Sequence, residues 1–177
     1  MDALAADLEA RGWHVANLEF RRLGTGGGWP ATFDHVAAAL RDLRDHDPLV
    51  AIGHSAGGHL ALWAAAERLV THAVGQAPVC DLAAAARLGL SNGAALELVG
   101  GRAELFAGLS PFERLPLGVP QLLVHGEDDD VVPAAMSSAY VEAAGGEAEL
   151  VLLTGVGHYE HLDPSSAAWR AVLEWLP

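Results

Sequence analysis

Short apolar runs alternate with longer amphipathic stretches along the whole chain. The runs have strand length and predict β-strands, whereas the stretches carry apolar residues at i, i+3 and i+4 and predict helices. Because the two kinds of element alternate and most strands are apolar throughout, we expect an α/β fold, a mostly parallel sheet with helices on both faces. The predicted strands are 13–20, 49–52, 73–79, 120–125 and 149–153, and the predicted helices are 1–11, 30–43, 59–68, 133–144 and 164–176.

Residues 81–117 depart from this alternation, because they contain several short helical pieces broken by glycines. The region follows the predicted strand 73–79, and ligands bind at the carboxyl edge of open α/β sheets. We therefore expect a short, cap-like helical insertion beside a pocket, within a single domain spanning residues 1–177.

Composition narrows the class of protein and its partners. An apolar content of 51% with 19% charged residues is typical of a folded globular chain. The net charge of −13 argues against a nucleic-acid partner or an anionic membrane surface. No run approaches the ~20 apolar residues of a membrane span, and Met1 is not followed by a basic signal-peptide region, so we expect a cytoplasmic protein. The only cysteine, Cys80, excludes an intramolecular disulfide and is expected to be a packed core thiol.

Candidate chemistry begins where the strand 49–52 ends. Residues 53–57 read Gly-His-Ser-Ala-Gly between a strand and a helix, which is the context that the G-x-S-x-G motif requires. The turn is sharp enough to strain the serine backbone, and we expect both glycines to leave room where a Cβ would clash. Ser55 is thus a predicted nucleophile, with the Ala56 N–H facing an oxyanion. The alternative is a glycine-rich connection with an incidental serine.

Two later loops supply the groups that a serine nucleophile needs, since its hydroxyl requires a base and the base an orienting acid. In hydrolases with this motif the chain order is serine, acid, histidine, each following a strand. Strand 120–125 leads into the acidic segment 127–130, and strand 149–153 leads into a loop containing His158. Both loops fit the order.

Segments 53–58, 125–133 and 155–158 resemble the α/β-hydrolase superfamily, in particular its single-domain esterase, prolyl-oligopeptidase-like and kynurenine formamidase-like branch. The resemblance covers almost all of the chain. Its His-Gly-x-x-Asp-x-x-Val-Pro pattern implies Asp129 as the acid, with Asp128 and Asp130 as competitors. His158 is the expected base because Gly155 and Gly157 let its loop fold back toward Ser55, and His161 is the runner-up.

Other residues have two interpretations. His158, His161 and Glu160 form a weak H-x-x-H metal pattern, since no complete ligand set accompanies them. Asp81 is an alternative acid, although a helix N-cap fits its position better.

His54 lies inside the motif and is either a buried, hydrogen-bonded group or, with Ala56 and Trp29, part of an oxyanion or substrate site. An aromatic pocket could be lined by Trp29, Phe33, Trp63, Leu88 and Leu90, with core packing the alternative, above all for Trp63.

The resemblance implies a serine hydrolase that acts on a small carboxylic ester or a related acyl compound through an acyl-enzyme. It implies no metal or organic cofactor, and a small-molecule acyl substrate is the only partner expected, with the oligomeric state left open. Aryl formamide hydrolysis is a narrower hypothesis that rests on the segments 26–30 and 155–164.

One part of the family pattern has no counterpart here. The family's second oxyanion donor comes from a His-Gly-Gly-type turn just before the helix that begins at Met1, and the glycines of 24–28 follow the wrong strand. We therefore hypothesise an N-terminally truncated chain, whose absent strand would separate 13–20 from 49–52. Those two strands would then pair directly or leave backbone groups unpaired, each buried one costing about 1–3 kcal/mol. Loss of a donor lowers the rate by roughly 10²–10³, so the second hypothesis is an impaired remnant that binds ligand or partner without turnover.

Overall fold

The computed structural model describes residues 1–177, and at its centre lies a four-stranded parallel sheet. The strands lie side by side in chain order, and all three neighbouring pairs are parallel, which confirms the predicted parallel sheet. The sheet has one strand fewer than predicted. The strands are β1 (Val50–His54), β2 (His72–Gln76), β3 (Gln121–Gly126) and β4 (Ala148–Leu153).

Eight α-helices and four short 3-10 helices connect and cover the strands. The insertion is helical, as predicted, and the Asp81 carboxylate caps its first helix by accepting the Ala84 N–H at 2.9 Å, which confirms the predicted N-cap. No helix is both long enough and apolar enough to cross a bilayer. The α-helices are α1 (Asp2–Ala10), α2 (Ala31–Asp42), α3 (Ala56–Ala66), α4 (Leu82–Arg87), α5 (Ala94–Leu98), α6 (Phe106–Leu109), α7 (Ala134–Ala144) and α8 (Ala167–Trp175), and the 3-10 helices are Leu90–Gly93, Ala103–Leu105, Phe112–Arg114 and Glu160–Leu162.

Apolar side chains form a core on each face of the sheet. Alternate residues of a strand point to opposite faces, so Leu123 of β3 joins the larger core with α2, α3, α7 and the insertion. Its neighbours Leu122 and Val124 join the smaller core with α1 and α8. Helices therefore cover both faces, as predicted. Cys80 is fully buried in the larger core, and burial raises the pKa of its thiol, as expected for a packed thiol.

The predicted strand at residues 13–20 is wrong. The segment is not paired with any strand, and none of the main-chain groups of residues 14–20 takes part in a backbone–backbone hydrogen bond. Trp13 and Val15 pack against the smaller core, which explains the alternating pattern at the start of the segment. From Ala16 to Glu19 every residue is exposed, so water can satisfy the main chain there.

The strand that leads to Ser55 lies at the edge of the sheet. The Leu49 carbonyl accepts the Thr71 N–H at 2.9 Å, and the Ser55 N–H donates to the Gln76 carbonyl at 2.9 Å, so odd-numbered residues of β1 face β2. In a parallel ladder the intervening residues direct their main-chain groups to the other side. The N–H and C=O groups of Val50 and Ile52 therefore face away from the sheet.

Candidate active site

Ser55 is the single residue between the end of β1 and the start of α3. Its backbone has φ 54° and ψ −115°, a conformation that is strained for a residue with a Cβ, as the motif predicts. The close crossing of strand and helix explains the strain, because a Cβ added at Gly53 would overlap the Gly57 carbonyl. At Gly57, in contrast, an added Cβ has no neighbour within 4 Å. The predicted steric need for glycine is thus confirmed at 53 and wrong at 57, where the Cβ would point into open space.

The Ala56 N–H, the predicted oxyanion donor, lies at the start of α3. Ala56 is exposed and is the first residue of α3, so its N–H has no acceptor within the helix. The positive end of the helix dipole adds to the attraction for negative charge beside Ser55. This end of α3 is therefore suited to stabilise an anion that forms next to the serine.

The structure brings Asp129 and His158 together across two loops. Asp129 Oδ2 accepts a hydrogen bond from His158 Nδ1 at 2.7 Å, and both side chains are almost completely buried. Asp129 Oδ1 accepts the N–H groups of Val131 and Val132 at 2.9 and 2.8 Å, which fixes the orientation of the carboxylate. Gly155, with φ +75°, provides the turn that leads β4 into the His158 loop.

The carboxylate of Asp129 is held in its charged form. Burial acts to raise the pKa of Asp129, but hydrogen bonds from His158 and from the Val132 and Val131 N–H groups outweigh it and lower the pKa below its usual value. The competing Asp128 and Asp130 are exposed. Of the three aspartates, only Asp129 is hydrogen-bonded to a histidine.

His54 directs its ring at the His158 loop. Its Nε2 lies 2.7 Å from the His158 carbonyl oxygen, and the centroids of the two rings are 4.6 Å apart. The ring is therefore engaged with protein, as the hydrogen-bonded interpretation of the sequence expects.

His125, at the end of β3, is a second histidine on the Asp129 carboxylate, and sequence reasoning gave it no role. Its Nε2 lies 3.2 Å from Asp129 Oδ2 and 2.9 Å from the Val132 carbonyl oxygen. Both are acceptors, so Nε2 carries the proton, and Nδ1 accepts from the Ser137 hydroxyl at 2.7 Å. Burial lowers the pKa of His125, which keeps the ring neutral. A polar residue inside a buried strand was the available signal for this contact.

His161, the runner-up base, is fully buried and has no carboxylate partner. Neither ring nitrogen is hydrogen-bonded, and burial lowers the pKa of His161 to about 4. Its backbone carbonyl accepts the Gln76 side-chain amide at 3.1 Å. Glu160, the third residue of the metal pattern, is exposed and accepts the Gly157 N–H at 3.1 Å. The structure groups no three His, Cys, Asp or Glu side chains as metal ligands.

The predicted aromatic pocket is mostly core. Phe33 and Trp63 are buried, and their ring centroids lie 4.9 Å apart, as the core interpretation expects. Trp29 is half-buried, packs against Phe33 at 5.3 Å and donates its backbone N–H to the Leu98 carbonyl of the insertion at 2.6 Å. Leu88 is 59% exposed, so it does not line a closed pocket.

Two buried histidines should make the fold sensitive to mild acid. Burial lowers the pKa of both His59 and His161 to about 4, from an ordinary value of 6.5. The unfolded chain therefore binds more protons than the folded chain between these values, and stability falls as the pH is lowered from 6.5 to 4. For the fully buried His59 alone, this amounts to on the order of 3 kcal/mol.

Urea unfolding at a series of pH values measures this loss. We expect the urea midpoint to fall continuously as the pH is lowered from 6.5 to 4. In a His59→Leu variant the midpoint should change less with pH. The pKa of Asp129 is lowered, so its stabilising contribution is lost only below the ordinary aspartate pKa of 3.8. The loss due to the histidines and the loss due to Asp129 therefore occur in different pH ranges. A midpoint that stays constant down to pH 4 would contradict the prediction.

The chain matches one family over most of its length. Residues 31–176 match the prolyl oligopeptidase family. An uncharacterized protein of Mycobacterium tuberculosis is 29% identical over 180 residues, an alignment that covers 97% of this chain and 61% of that protein. The chain therefore spans about three fifths of the length of this curated relative.

Solved structures show the same fold. A truncated form of a carbohydrate esterase from gut microbiota is similar with a TM-score of 0.79 at 21% identity, covering 98% of this chain and 76% of that one. An acetyl ester-xyloside bifunctional hydrolase from Caldicellulosiruptor lactoaceticus has a TM-score of 0.67 at 25% identity, covering 84% and 63% of the two chains. With its parallel sheet, its strained serine turn and the family match over 31–176, the chain has an α/β-hydrolase fold and belongs to the prolyl oligopeptidase family.

Proposed function

We propose that this chain carries the active site of a serine hydrolase that cleaves small carboxylic esters. The observation that carries the proposal is the 2.7 Å hydrogen bond between His158 Nδ1 and Asp129 Oδ2, formed by the loop whose backbone contacts the Ser55 turn through His54. A buried carboxylate that orients an imidazole beside a hydroxyl is the arrangement that activates serine for acyl transfer.

In the first half of the proposed reaction, Ser55 Oγ attacks the ester carbonyl carbon while His158 Nε2 accepts the hydroxyl proton. The His158 Nδ1–H remains hydrogen-bonded to Asp129, whose negative charge stabilises the imidazolium. The carbonyl π electrons move onto oxygen, where the Ala56 N–H stabilises the charge. When the tetrahedral intermediate collapses, the C–O bond to the leaving group breaks and His158 protonates the departing alkoxide.

The second half of the reaction releases the acid. Water attacks the carbonyl carbon of the acyl-Ser55 and gives its proton to His158 Nε2. The bond between the carbonyl carbon and Ser55 Oγ then breaks, and His158 returns the proton to the serine oxygen. The products are a carboxylic acid and an alcohol, and no external oxidant, reductant or cofactor takes part.

The ester class is supported by two proteins that share the fold, since one is a carbohydrate esterase and the other an acetyl ester-xyloside bifunctional hydrolase. An aryl formamide is a narrower proposal, because the same steps transfer a formyl group from nitrogen. Turnover of p-nitrophenyl acetate and of N-formylaniline compares the two classes. The narrower proposal requires a higher kcat/KM for the formamide, and the reverse order leaves only the ester proposal.

A fluorophosphonate probe tests the proposed nucleophile, because it phosphonylates a serine hydroxyl only when a base activates it. We expect wild-type protein to be labelled on the peptide that contains Ser55 and Ser55→Ala to remain unlabelled. Ser138→Ala, which removes a hydroxyl from the half-buried side of α7, is the matched control and should be labelled like wild type.

The measurement is mass spectrometry of the labelled peptide, with circular dichroism to establish that each variant is folded. Labelling that persists in Ser55→Ala would assign the reactive hydroxyl elsewhere. Folded wild-type protein without any label would favour the alternative in which the chain binds ligand or partner without turnover.

A further inference from the structure

His54 is the one side chain that joins the turn of the proposed nucleophile to the loop of the proposed base. It is the last residue of β1 and directly precedes Ser55. Its ring Nε2 lies 2.7 Å from the carbonyl oxygen of His158, a residue 104 positions away. Because a carbonyl oxygen can only accept, Nε2 carries the hydrogen and donates it.

No other hydrogen bond connects these two segments. Residues 155–159 are otherwise held by the His158–Asp129 bond, by the bond from the Asp128 N–H to the Val156 carbonyl and by the local bond from the Gly157 N–H to Glu160. None of these bonds reaches β1 or α3, and the Gln76 side chain of β2 binds only the following turn, at the His161 carbonyl. The His158 ring is hydrogen-bonded through Nδ1 to Asp129 and makes no hydrogen bond to Ser55 Oγ, so the distance between hydroxyl and imidazole is not set by a bond between them.

The ring of His54 is also well suited to hold this position. It packs against the His158 ring with centroids 4.6 Å apart and lies 6.0 Å from the His161 ring, so its orientation is restricted. Burial lowers the pKa of His54, which favours the neutral ring. Since His54 belongs to a strand, its main chain is more rigid than the loop that it contacts.

We propose that His54 is a positioning residue, which sets the distance between Ser55 Oγ and His158 Nε2 by holding the His158 carbonyl with its Nε2–H. This inference rests on the proposed serine hydrolase function. Misplacement of a catalytic group by about 1 Å lowers the rate by roughly 10²-fold. The role should therefore appear in kcat, because His54 restrains the base and does not contact the substrate.

The test replaces His54 by two residues, of which one carries an N–H donor and the other does not. His54→Gln places an amide N–H near the position of Nε2, whereas His54→Leu keeps volume and removes the donor. With p-nitrophenyl acetate we expect kcat of His54→Leu to fall by roughly 10²-fold with KM within about twofold, in line with a misplaced base. We expect His54→Gln to recover most of kcat, and the fluorophosphonate labelling rates of the two variants to follow the same order.

Two comparisons make the outcome decisive. His35→Leu makes the same chemical change on the exposed side of α2 and should behave like wild type. If His54→Leu does not fold, His54→Asn replaces it, since its shorter amide does not reach the carbonyl. A wild-type kcat in His54→Leu (or in His54→Asn where it replaces it) would overturn the positioning role. An equal loss of kcat in that variant and in His54→Gln would do so as well. Absence of turnover and labelling in wild type would instead overturn the proposed function, and the positioning role with it.

Discussion

Asp129→Asn should lower kcat for ester hydrolysis by roughly 10⁴-fold while the chain stays folded. An asparagine Oδ1 can still accept the Val131 and Val132 N–H groups, so the loop conformation is retained. Its amide nitrogen then faces His158 Nδ1, which must become an acceptor, while the His125 Nε2–H keeps the Val132 carbonyl as its acceptor. The His158 proton moves to Nε2, and the imidazole can no longer accept the proton of Ser55.

Two neighbouring residues provide matched controls for this prediction. Asp128→Asn and Asp130→Asn make the same chemical change on exposed side chains, and both variants should keep kcat within about twofold of wild type. The measurement is kcat with p-nitrophenyl acetate, together with the urea unfolding midpoint of each variant. A large loss in either neighbour, with Asp129→Asn active, would move the acid to that neighbour.

Gly53→Ala should destabilise the fold by at least about 3 kcal/mol. The added Cβ overlaps the Gly57 carbonyl, which is main chain of the helix that begins beside Ser55. An obstructing side chain could rotate away, but the obstacle here is main chain, so the strand and the helix must separate. The expected result is a much lower urea midpoint or no cooperative transition at all.

Gly57→Ala is the control, because the added Cβ there meets no atom within 4 Å. Alanine is favoured over glycine in a helix by up to about 1 kcal/mol, so we expect this variant to unfold at an equal or higher urea concentration. Equal destabilisation of the two variants would show that the motif constrains both glycines and that the clash at Gly53 is not the dominant effect.

The features that sequence predicted are those that depend on local pattern. Apolar runs gave four of the strands, and the Gly-His-Ser-Ala-Gly context gave the strained turn at Ser55, because its geometry is set by five adjacent residues. The loop order predicted that an acid of segment 127–130 lies near His158, since parallel strands end at one edge of the sheet, and the family resemblance selected Asp129, which the structure shows bonded to His158. Whether the three side chains act as a triad remains a prediction.

The features that sequence missed depend on partners distant in the chain. Residues 13–20 have the alternation of a strand, but strand formation needs a neighbour, and pattern within the segment does not supply one. The close approach at Gly58, where an added Cβ would lie 2.9 Å from the Pro78 side chain, requires knowing where residue 78 lies. The contact of His54 likewise joins a strand residue to a loop 104 positions away, whereas His125 reaches a carboxylate only four residues on, which its position inside a buried strand alone indicated.

Because β1 and β4 are the outer strands of the sheet, Ser55 and His158 both follow strands that have a main-chain partner on one side only. Strands opened by thermal fluctuation come first from positions with few main-chain partners, and Val50 and Ile52 have none on their outer side. A transient opening there would carry Ser55 away from His158 while β2, β3 and β4 stay folded. Fraying at the two borders of the sheet would then separate the site at a lower free-energy cost than global unfolding.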